Sequence, residues 1–315
     1  MTHGHHHGPE HQHPHEQPGD AHEQPGHAQD GQHGHGHQEQ HGQHGHGHQH
    51  GHSEGLAELL ELDAEVLHDY HAGIVAWVRS QGPAARIADL GAGTGAGTLE
   101  LLAQFDTATV IAVDSDAAML HRLTANATAR GLQARVRTLQ ADLDSGWPAE
   151  LDGLDLIWAA NSMHHMADPP RVLRDIRAAL APGGLLAMSE LDSFPRFLPP
   201  GDGLEERTHR AMTRRREQDM PHLGADWDVL LAAAGLKIRV ERRFEVTLTQ
   251  PLPEAAARYA QSSLRRTRDG LADDLDPADV EALTALVADD GPKSVRHRSD
   301  LTVRAARTVW LAEPA

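Results

Sequence analysis

Cysteine is absent from the chain, and this absence excludes three kinds of chemistry. Without a thiol, the protein can form no disulfide bond, no thiolate metal site and no covalent intermediate on a cysteine nucleophile. Lysine is almost as scarce, since Lys237 and Lys293 are the two lysines among 315 residues. Neither stands in a Tyr-x-x-x-Lys pair, which disfavours a hydride-transferring enzyme that relies on such a pair.

Long apolar runs are also missing. No stretch approaches the ~18 apolar residues of a membrane span, and the N-terminus lacks the basic-then-apolar pattern of a secretion signal. We therefore predict no membrane partner and a cytoplasmic location. The formal net charge is -18, from 28 basic and 46 acidic residues. Because an acidic protein repels phosphate backbones at long range, nucleic acid is a disfavoured partner.

The first 52 residues contain no Lys, Arg, Leu, Ile, Val, Phe, Tyr or Trp, but they hold 18 of the 26 histidines and six acids. Such a segment cannot bury enough apolar surface to offset the entropy of ordering its backbone. We therefore predict a disordered, histidine-rich tail over residues 1–53 and one folded domain over residues 54–315.

Imidazole groups recur one or two residues apart in the tail, in repeats such as HGHGH (33–37). Neutral imidazole is a good ligand for Ni, Zn, Cu and Co, and several such ligands on a flexible chain bind metal with little geometric selectivity. Two interpretations stay open: a metal-binding arm, or a low-complexity solubilising arm with incidental metal affinity. The candidate metal ligands are His33, His35, His37, His44, His46, His48 and His50.

Strand-like and helix-like segments alternate from residue 86 to residue 190. Helical periodicity lies at 96–105, 116–130 and 169–181. Strands joined by crossover helices run parallel, so we predict an α/β protein with a doubly wound, Rossmann-like sheet. The five predicted strands are RIADL (86–90), TVIAVD (109–114), ARVRTLQ (134–140), LDLIWAA (154–160) and GLLAMSE (184–190).

Outside this region the pattern changes. Apolar residues at helical spacing predict one helix over 56–79, which Gly82-Pro83 ends. Two further strands are predicted at 236–248 and 305–312. We expect the elements of about 195–305 to cap the ligand edge of the sheet, with helices at 202–219, 225–234, 253–268 and 276–288.

The stretch RIADLGAGTGAGTL (86–99) places four glycines at alternate positions directly after the first strand. Glycine permits the left-handed backbone of a tight turn, and the amides of the next helix point at whatever lies above it. Gly91-x-Gly93-x-x-Ala96, with Asp114 about 20 residues on, is close to a dinucleotide fingerprint. Asp89 favours another ligand, because its carboxylate repels a pyrophosphate and suits a cationic end such as an amino-acid ammonium.

The run Asp89-Leu90-Gly91-Ala92-Gly93-Thr94-Gly95 matches the motif D-x-G-x-G-x-G. On this motif, and on acids that end the next two strands, the segment 86–190 resembles the class I S-adenosylmethionine-dependent methyltransferases, most of all small-molecule members of the ubiquinone-biosynthesis-like type. The resemblance implies S-adenosylmethionine as the cofactor. It also implies a seven-stranded sheet in which the last two strands form an antiparallel pair at one edge.

The same resemblance assigns roles around the cofactor. It places the glycine loop behind the methionine part, Asp114 at the ribose hydroxyls and Asp142 at the adenine, with Leu143 packing nearby and Asp144 as an alternative to Asp142. The full set of candidate cofactor-binding residues is Asp89, Gly91, Gly93, Gly95, Asp114, Ser115, Asp142, Leu143 and Asn161.

Candidate catalytic residues follow the fourth and fifth strands. His164 and His165 lie in NSMHHMADPP, and Glu190, with Asp192 as an alternative, ends GLLAMSE. A general base helps only where the acceptor is a hydroxyl or a protonated amine. For each of these residues the other interpretation is an ordinary packed or hydrogen-bonded side chain.

The resemblance implies methyl transfer to a small-molecule acceptor by in-line displacement, in which the protein aligns the reactants and excludes water. Methylation at C5 of cytosine is excluded, because it needs a cysteine. The run Asn161-Ser162-Met163-His164 also differs from the Asn-Pro-Pro-aromatic motif of enzymes that methylate amino groups of bases. Two other functions stay open: an NAD(P)-dependent oxidoreductase, and a metal-handling protein in which the tail is the working part. The oligomeric state is left open.

Overall fold

The computed structural model describes residues 46–315, with side chains from Glu54 onward. In this part of the chain, seven strands form one sheet: β1 (Arg86–Leu90), β2 (Thr109–Asp114), β3 (Val136–Gln140), β4 (Leu154–Ala160), β5 (Leu180–Arg196), β6 (Leu236–Leu248) and β7 (Val303–Pro314). Their order is β3-β2-β1-β4-β5-β7-β6. β1 to β5 pair in parallel, and β7 is antiparallel to both β5 and β6. The predicted sheet, including the antiparallel pair at one edge, is confirmed.

The strand bounds follow the sequence pattern closely except at β5. We predict that strand from residue 184, yet it begins at Leu180 and includes Pro182-Gly183-Gly184. Leu180 pairs with Leu154 of β4, and the register shifts between Leu154 and Leu156. This irregularity lets strand pairing begin before the glycines, which the sequence pattern assigns to the end of a helix.

Helices cover the sheet at nearly the predicted positions: α1 (His46–Val66), α2 (His68–Arg79), α3 (Ala96–Gln104), α4 (Ala117–Ala129), α5 (Pro169–Ala179), α6 (Gly203–Asp219), α7 (Trp227–Ala233), α8 (Ala256–Gly270) and α9 (Pro277–Val287). Four of them begin at an aspartate whose carboxylate accepts from a first-turn amide, which satisfies donors that have no partner within the helix. These caps are Asp116, Asp168, Asp202 and Asp226.

Alternate residues of the central strands pack on opposite faces of the sheet, as the two-residue period of a strand requires. On one face, Ile157 lies in a cluster with Trp227 of α7 and with α5. On the other face, Leu156 lies in a cluster with Ile74 of α2 and Leu101 of α3. The helices on both faces leave the strand ends as the place where a ligand can enter.

The elements of the expected cap, about 195–305, pack in two different places. α8 and α9 share an apolar cluster with Leu62 of α1 and Val303 of β7, separate from the two sheet faces. In contrast, α7 and β6 lie within the range 195–305 but belong to the sheet layers, because Leu231 and Leu236 pack in the cluster of one sheet face.

The single helix that we predict over 56–79 is two helices. The chain leaves the helical path at Leu67, which has φ -105° and ψ 23°. Asp63 in α1 and His71 in α2 are eight residues apart, so in one straight helix they would lie about 12 Å apart along the axis. The break brings the Asp63 Oδ2 and His71 Nε2 atoms to 2.9 Å.

Most of the tail lies outside the described residues, so its predicted disorder and metal binding stay predictions. His33, His35, His37 and His44 are outside the description, and α1 begins at His46, inside the range that we predict to be disordered. The side chains of His48 and His50 are likewise not described. Among the described residues, no group of three or more His, Cys, Asp or Glu side chains could hold a metal ion. No helix in this part is long and apolar enough to cross a membrane.

Candidate active site

A cavity of about 980 Å³, counted to its open mouth, lies at the carboxyl edge of β1 and β4. The strand order reverses between these two strands, and open α/β sheets bind ligands at this switch point. The lining includes Leu60, Asp63, His71, Asp89, Gly91, Gly93, Gly97, Glu100, Arg130, Trp158, Asn161, Ser189 and Arg307.

The glycine loop forms the floor of this cavity, and three of its glycines have a left-handed backbone. The φ angles of Gly91, Gly93 and Gly95 are 71°, 53° and 91°. A Cβ at Gly91 would lie 2.4 Å from the Ser162 Cβ, whereas at Gly93 it would meet only the Leu60 Cδ1 atom, at 3.3 Å. Gly91 is therefore required by packing inside the protein, and Gly93 keeps the cavity floor open.

Asp89 lies behind the loop, at the end of β1, and its side chain is buried. Its Oδ2 accepts a 2.6 Å hydrogen bond from the Thr98 hydroxyl. Burial raises the pKa of Asp89 to about 7, the Thr98 hydrogen bond opposes the rise, and the nearby Asp114 charge adds to it. A cation bound in the cavity would restore the carboxylate form, which agrees with the predicted preference for a cationic ligand end.

Asp114 ends β2 and holds the glycine loop in shape. Its Oδ2 accepts from the Gly93 amide at 2.8 Å, and its Oδ1 accepts from the Asp116 amide at 2.9 Å. Ser115 follows, and its carbonyl accepts from the Gln140 side chain at 3.1 Å. Asp114 and Ser115 thus lie at the same sheet edge as the cavity but are not among its lining residues.

Asp142 and Leu143 differ in their surroundings. Asp142 is exposed, and its carboxylate accepts from the Ser145 hydroxyl at 2.7 Å and from the Asp144 amide at 2.9 Å. The Ser145 and Asp144 hydrogen bonds lower the pKa of Asp142. Leu143 is buried in an apolar cluster of the sheet. Asp144 accepts from the Ala167 amide at 2.9 Å, which ties it to the loop after β4. Neither Asp142 nor Leu143 lines the cavity.

Two cavity residues on the β4 side carry polar atoms without a partner. Trp158 Nε1 and Asn161 Oδ1 are buried and make no hydrogen bond. Asn161 also has a left-handed φ of 53°, and its amide donates to the Ser189 carbonyl at 2.7 Å. Buried polar groups are nearly always paired in folded proteins, so these two atoms indicate a place for ligand groups.

The comparisons with known proteins agree with this geometry. Residues 87–184 match a family model described as a methyltransferase domain. A trans-aconitate 2-methyltransferase of Variovorax paradoxus is 37% identical over 129 residues, which are 41% of this chain and 43% of that protein. A protein of the same name from Methylobacterium nodulans is 32% identical over 224 residues, 65% of this chain and 75% of the relative. The chain belongs to the class I S-adenosylmethionine-dependent methyltransferases.

The match is strongest in the cofactor half of the fold. The chain spans less than half of the length of some of these relatives, 43% for the protein of Variovorax paradoxus and 38% for that of Deinococcus radiodurans. A solved structure of a candidate methyltransferase from Bacillus halodurans aligns with 78% of this chain and 99% of its own, with a TM-score of 0.50 and 16% identity. At this identity the likeness shows the fold.

The residues present fit S-adenosylmethionine. Gly93 lines the cavity without a side chain, and the one atom near its Cβ position is the flexible end of Leu60, so a ligand could approach the loop backbone there. Asp89 supplies an acid for an ammonium group, and the unpartnered Asn161 Oδ1 and Trp158 Nε1 supply an acceptor and a donor. Asp114 lies beside the loop, and each of its carboxylate oxygens accepts one amide hydrogen bond, which leaves acceptor capacity that would suit ribose hydroxyls.

The structure does not place the three candidate catalytic residues on the cavity. His164 and Glu190 are buried, with 2.5 Å between the His164 Nδ1 and the Glu190 Oε2. Glu190 Oε1 accepts from the Met163 amide at 2.9 Å. A carboxylate only accepts, so the His164 Nδ1 donates to Glu190. The two hydrogen bonds that Glu190 accepts fix the turn after β4, which carries Asn161. His165 is exposed and its ring packs at a tilt against that of His164, with ring centroids 4.1 Å apart. This geometry favours ordinary packed or hydrogen-bonded side chains at His164, His165 and Glu190.

The sequence analysis missed the polar cluster at the other end of the cavity. Asp63, His71 and Arg307 all line it. Asp63 Oδ1 accepts from the Tyr259 hydroxyl at 2.6 Å, and its Oδ2 lies 2.9 Å from the His71 Nε2. No motif could have revealed this cluster, because its members lie on α1, α2, α8 and β7. The helix break at Leu67 that brings two of them together was not predicted either.

Proposed function

We propose that the protein transfers the methyl group of S-adenosylmethionine to a small-molecule acceptor. The observation that carries this proposal is the glycine loop: its left-handed Gly93 leaves the cavity floor open, with the buried Asp89 behind it. Membership of the methyltransferase family supports the reaction, and no finding supports an NAD(P)-dependent oxidoreductase or a metal-handling protein.

The bound cofactor supplies an activated methyl group on a sulfonium. The protein's own contribution is to hold and to enclose. Leu60 of α1 covers the loop near Gly93, and Trp158 and Ile74 line the wall, so that water is displaced from the reacting centre. Asp114 and the Ser162 hydroxyl, which donates to the Leu90 carbonyl at 2.7 Å, hold the loop and the turn after β4 in fixed positions. Such positioning is the main rate advantage of a displacement between two bound molecules.

We propose a carboxylate-bearing acceptor, and trans-aconitate is the first compound to test. Relatives with matching sequences carry the name trans-aconitate 2-methyltransferase. A carboxylate is ionised at neutral pH, so it can attack without a general base. In the displacement, a carboxylate oxygen forms a bond to the methyl carbon, the carbon–sulfur bond breaks, and its electron pair stays on sulfur. The products are a methyl ester and S-adenosylhomocysteine, with no proton transferred.

The first test is calorimetric titration of metal-free protein with S-adenosylmethionine, S-adenosylhomocysteine and NADH. We expect micromolar binding of the first two, lost in Asp114→Ala and retained in Asp106→Ala, an exposed acid in the loop after α3. Binding of NADH alone would overturn the cofactor assignment. A second assay measures S-adenosylhomocysteine release with trans-aconitate, and release equal to the acceptor-free rate would exclude this acceptor.

The predictions of cellular location and of nucleic-acid binding stay proposals. We propose that the protein has no nucleic-acid partner, on the acidic net charge of -18, and, separately, that it is cytoplasmic. Labelled nucleic acid that bound at physiological salt with an affinity comparable to the cofactor would contradict this, because charge repulsion predicts weak association.

A further inference from the structure

Arg307 is the one arginine classed as buried among the residues with described side chains, with 4% of its surface exposed. It lies on β7, opposite Leu191 of β5 and Phe244 of β6. It also lines the cavity, together with Asn161 and Ser189 from the neighbouring strand ends. A buried guanidinium is costly unless it is paired, so its partners decide what it can do.

The guanidinium of Arg307 lies within hydrogen-bond distance of two side chains, those of Asp63 and His71. Its Nη2 lies 3.3 Å from the Asp63 Oδ2, and its Nη1 lies 2.8 Å from the His71 Nδ1 and 3.1 Å from the His71 Nε2. An arginine can only donate, so the His71 Nδ1 accepts and the His71 Nε2–H donates to Asp63. The Nε atom of Arg307 is buried and has no partner.

The cluster keeps this arrangement at neutral pH. Burial, and after it the charge of Arg307, lowers the pKa of His71, so the ring stays neutral and can accept. Burial by itself raises the pKa of Asp63, but the charge of Arg307 and hydrogen bonds from His71 and Tyr259 outweigh it and hold the pKa below its usual range. Asp63 is thus a fixed anion that orients Arg307 and leaves hydrogen-bonding capacity on the guanidinium unused.

The location separates Arg307 from the cofactor loop. In the strand order β1-β4-β5-β7, three strand spacings, or about 14 Å, lie between the backbone of β1, which leads into the glycine loop, and the backbone of Arg307. A ligand whose methionine part rests on the glycine loop would therefore leave this end of the cavity to a second molecule.

We propose that Arg307 binds a carboxylate group of the methyl acceptor, with Asp63, His71 and Tyr259 as the residues that position it. This inference rests on the proposed methyltransferase function. A planar guanidinium fork matches the two oxygens of a carboxylate, and its unpaired Nε–H is satisfied by such a ligand. The acceptor is accordingly a small carboxylic acid whose Arg307-bound group selects it.

The test uses full-length protein saturated with S-adenosylhomocysteine, so that only the acceptor end is probed. Fumarate and its neutral diamide, fumaramide, are titrated by calorimetry, with trans-aconitate as a third probe. The variants are Arg307→Lys, which keeps the charge but not the fork, and Asp63→Asn combined with Arg307→Gln, which removes both charges and avoids a buried unpaired ion. Arg239→Gln, an exposed arginine on the neighbouring strand β6, is the control.

We expect the wild type to prefer fumarate to fumaramide, and both variants to lose about 10- to 100-fold in fumarate affinity with fumaramide binding unchanged. The affinity for S-adenosylhomocysteine should stay within about twofold in all variants. In turnover, KM for the acceptor should rise more than kcat falls, which a purely structural role would not produce. Unchanged fumarate affinity in folded variants, or no preference for the acid in the wild type, would overturn the proposal.

The same titrations distinguish failure of the Arg307 proposal from failure of the proposed methyltransferase function. Loss of S-adenosylhomocysteine binding in Arg307→Lys would assign Arg307 to the carboxylate of the cofactor and overturn the acceptor role, while the methyltransferase function stands. If the wild type binds neither S-adenosylmethionine nor S-adenosylhomocysteine, the proposed function itself fails.

Discussion

The first two glycines of the loop, Gly91 and Gly93, are expected to tolerate an added methyl group poorly for different reasons. Gly91→Ala places a Cβ 2.4 Å from the Ser162 Cβ on a backbone with φ 71°. Gly93→Ala has a φ of 53° but meets only the end of Leu60, at 3.3 Å. Gly131→Ala, with φ 68° and nothing within 4 Å, measures the backbone strain alone.

The magnitudes follow from these contacts. A left-handed alanine costs about 1–2 kcal/mol, which is the whole effect expected for Gly131→Ala and nearly all of it for Gly93→Ala. Gly91→Ala adds overpacking of about 1–3 kcal/mol, because Ser162 is buried and held by its bond to the Leu90 carbonyl. Its free energy of unfolding should therefore fall by about 2–5 kcal/mol, and Tm by about 2–4 °C for each kcal/mol.

For cofactor binding, the variant with the expected defect is Gly93→Ala. Gly93→Ala should stay folded and weaken S-adenosylmethionine binding by at least about tenfold, since its methyl group fills the place of the ligand, whereas Gly131→Ala should bind normally. The assays are chemical denaturation and calorimetry on all three variants. Equal stability losses in Gly91→Ala and Gly131→Ala, or normal binding in Gly93→Ala, would refute this reading of the loop.

Four further outcomes are expected. Burial raises the pKa of Asp89 to about 7, above about 3.8 in an unfolded chain. This carboxyl therefore makes the ligand-free protein less stable as pH rises from about 4 to 7. Asp89→Asn should remove that part of the pH dependence of the unfolding free energy, measured by denaturation at several pH values across this range. Glu190→Gln should lower stability by about 1–3 kcal/mol through His164, and a pH–rate profile that lost a limb would instead assign it as a base. Tyr259→Phe should cost about 1–3 kcal/mol by removing a donor from the half-buried Asp63, and wild-type stability would contradict the bond. Removing residues 1–52 should leave turnover unchanged, and a folded but inactive truncation would show that the tail takes part in catalysis.

Local sequence determined the sheet and the loop. β1, β2, β4 and β6 have the predicted bounds, because a short apolar run, or an alternation of apolar and polar residues as in β6, is the local pattern of a strand. The left-handed φ angles at Gly91, Gly93 and Gly95 follow from the same rule, since only glycine adopts them without strain. Signals confined to one short segment were therefore sufficient for the cofactor half of the fold.

Side-chain roles were harder to predict, even where the elements were known. His164 and Glu190 are candidate catalytic residues by their place in the sequence, yet their 2.5 Å pair is buried and does not line the cavity. The direction of a side chain at a strand end depends on the turn that follows. Here that turn includes Asn161 with φ 53°, a conformation that sequence pattern does not reveal for a residue other than glycine.

Only the tertiary structure decided the acceptor end of the cavity. Arg307 lies 236 residues from His71 and 244 from Asp63 along the chain, and Tyr259 lies 196 from Asp63. These residues meet because β7 returns antiparallel to β5 and because α1 breaks at Leu67. Contacts across such separations depend on the packing of whole elements, whereas the sequence by itself determines local backbone preference and apolar periodicity.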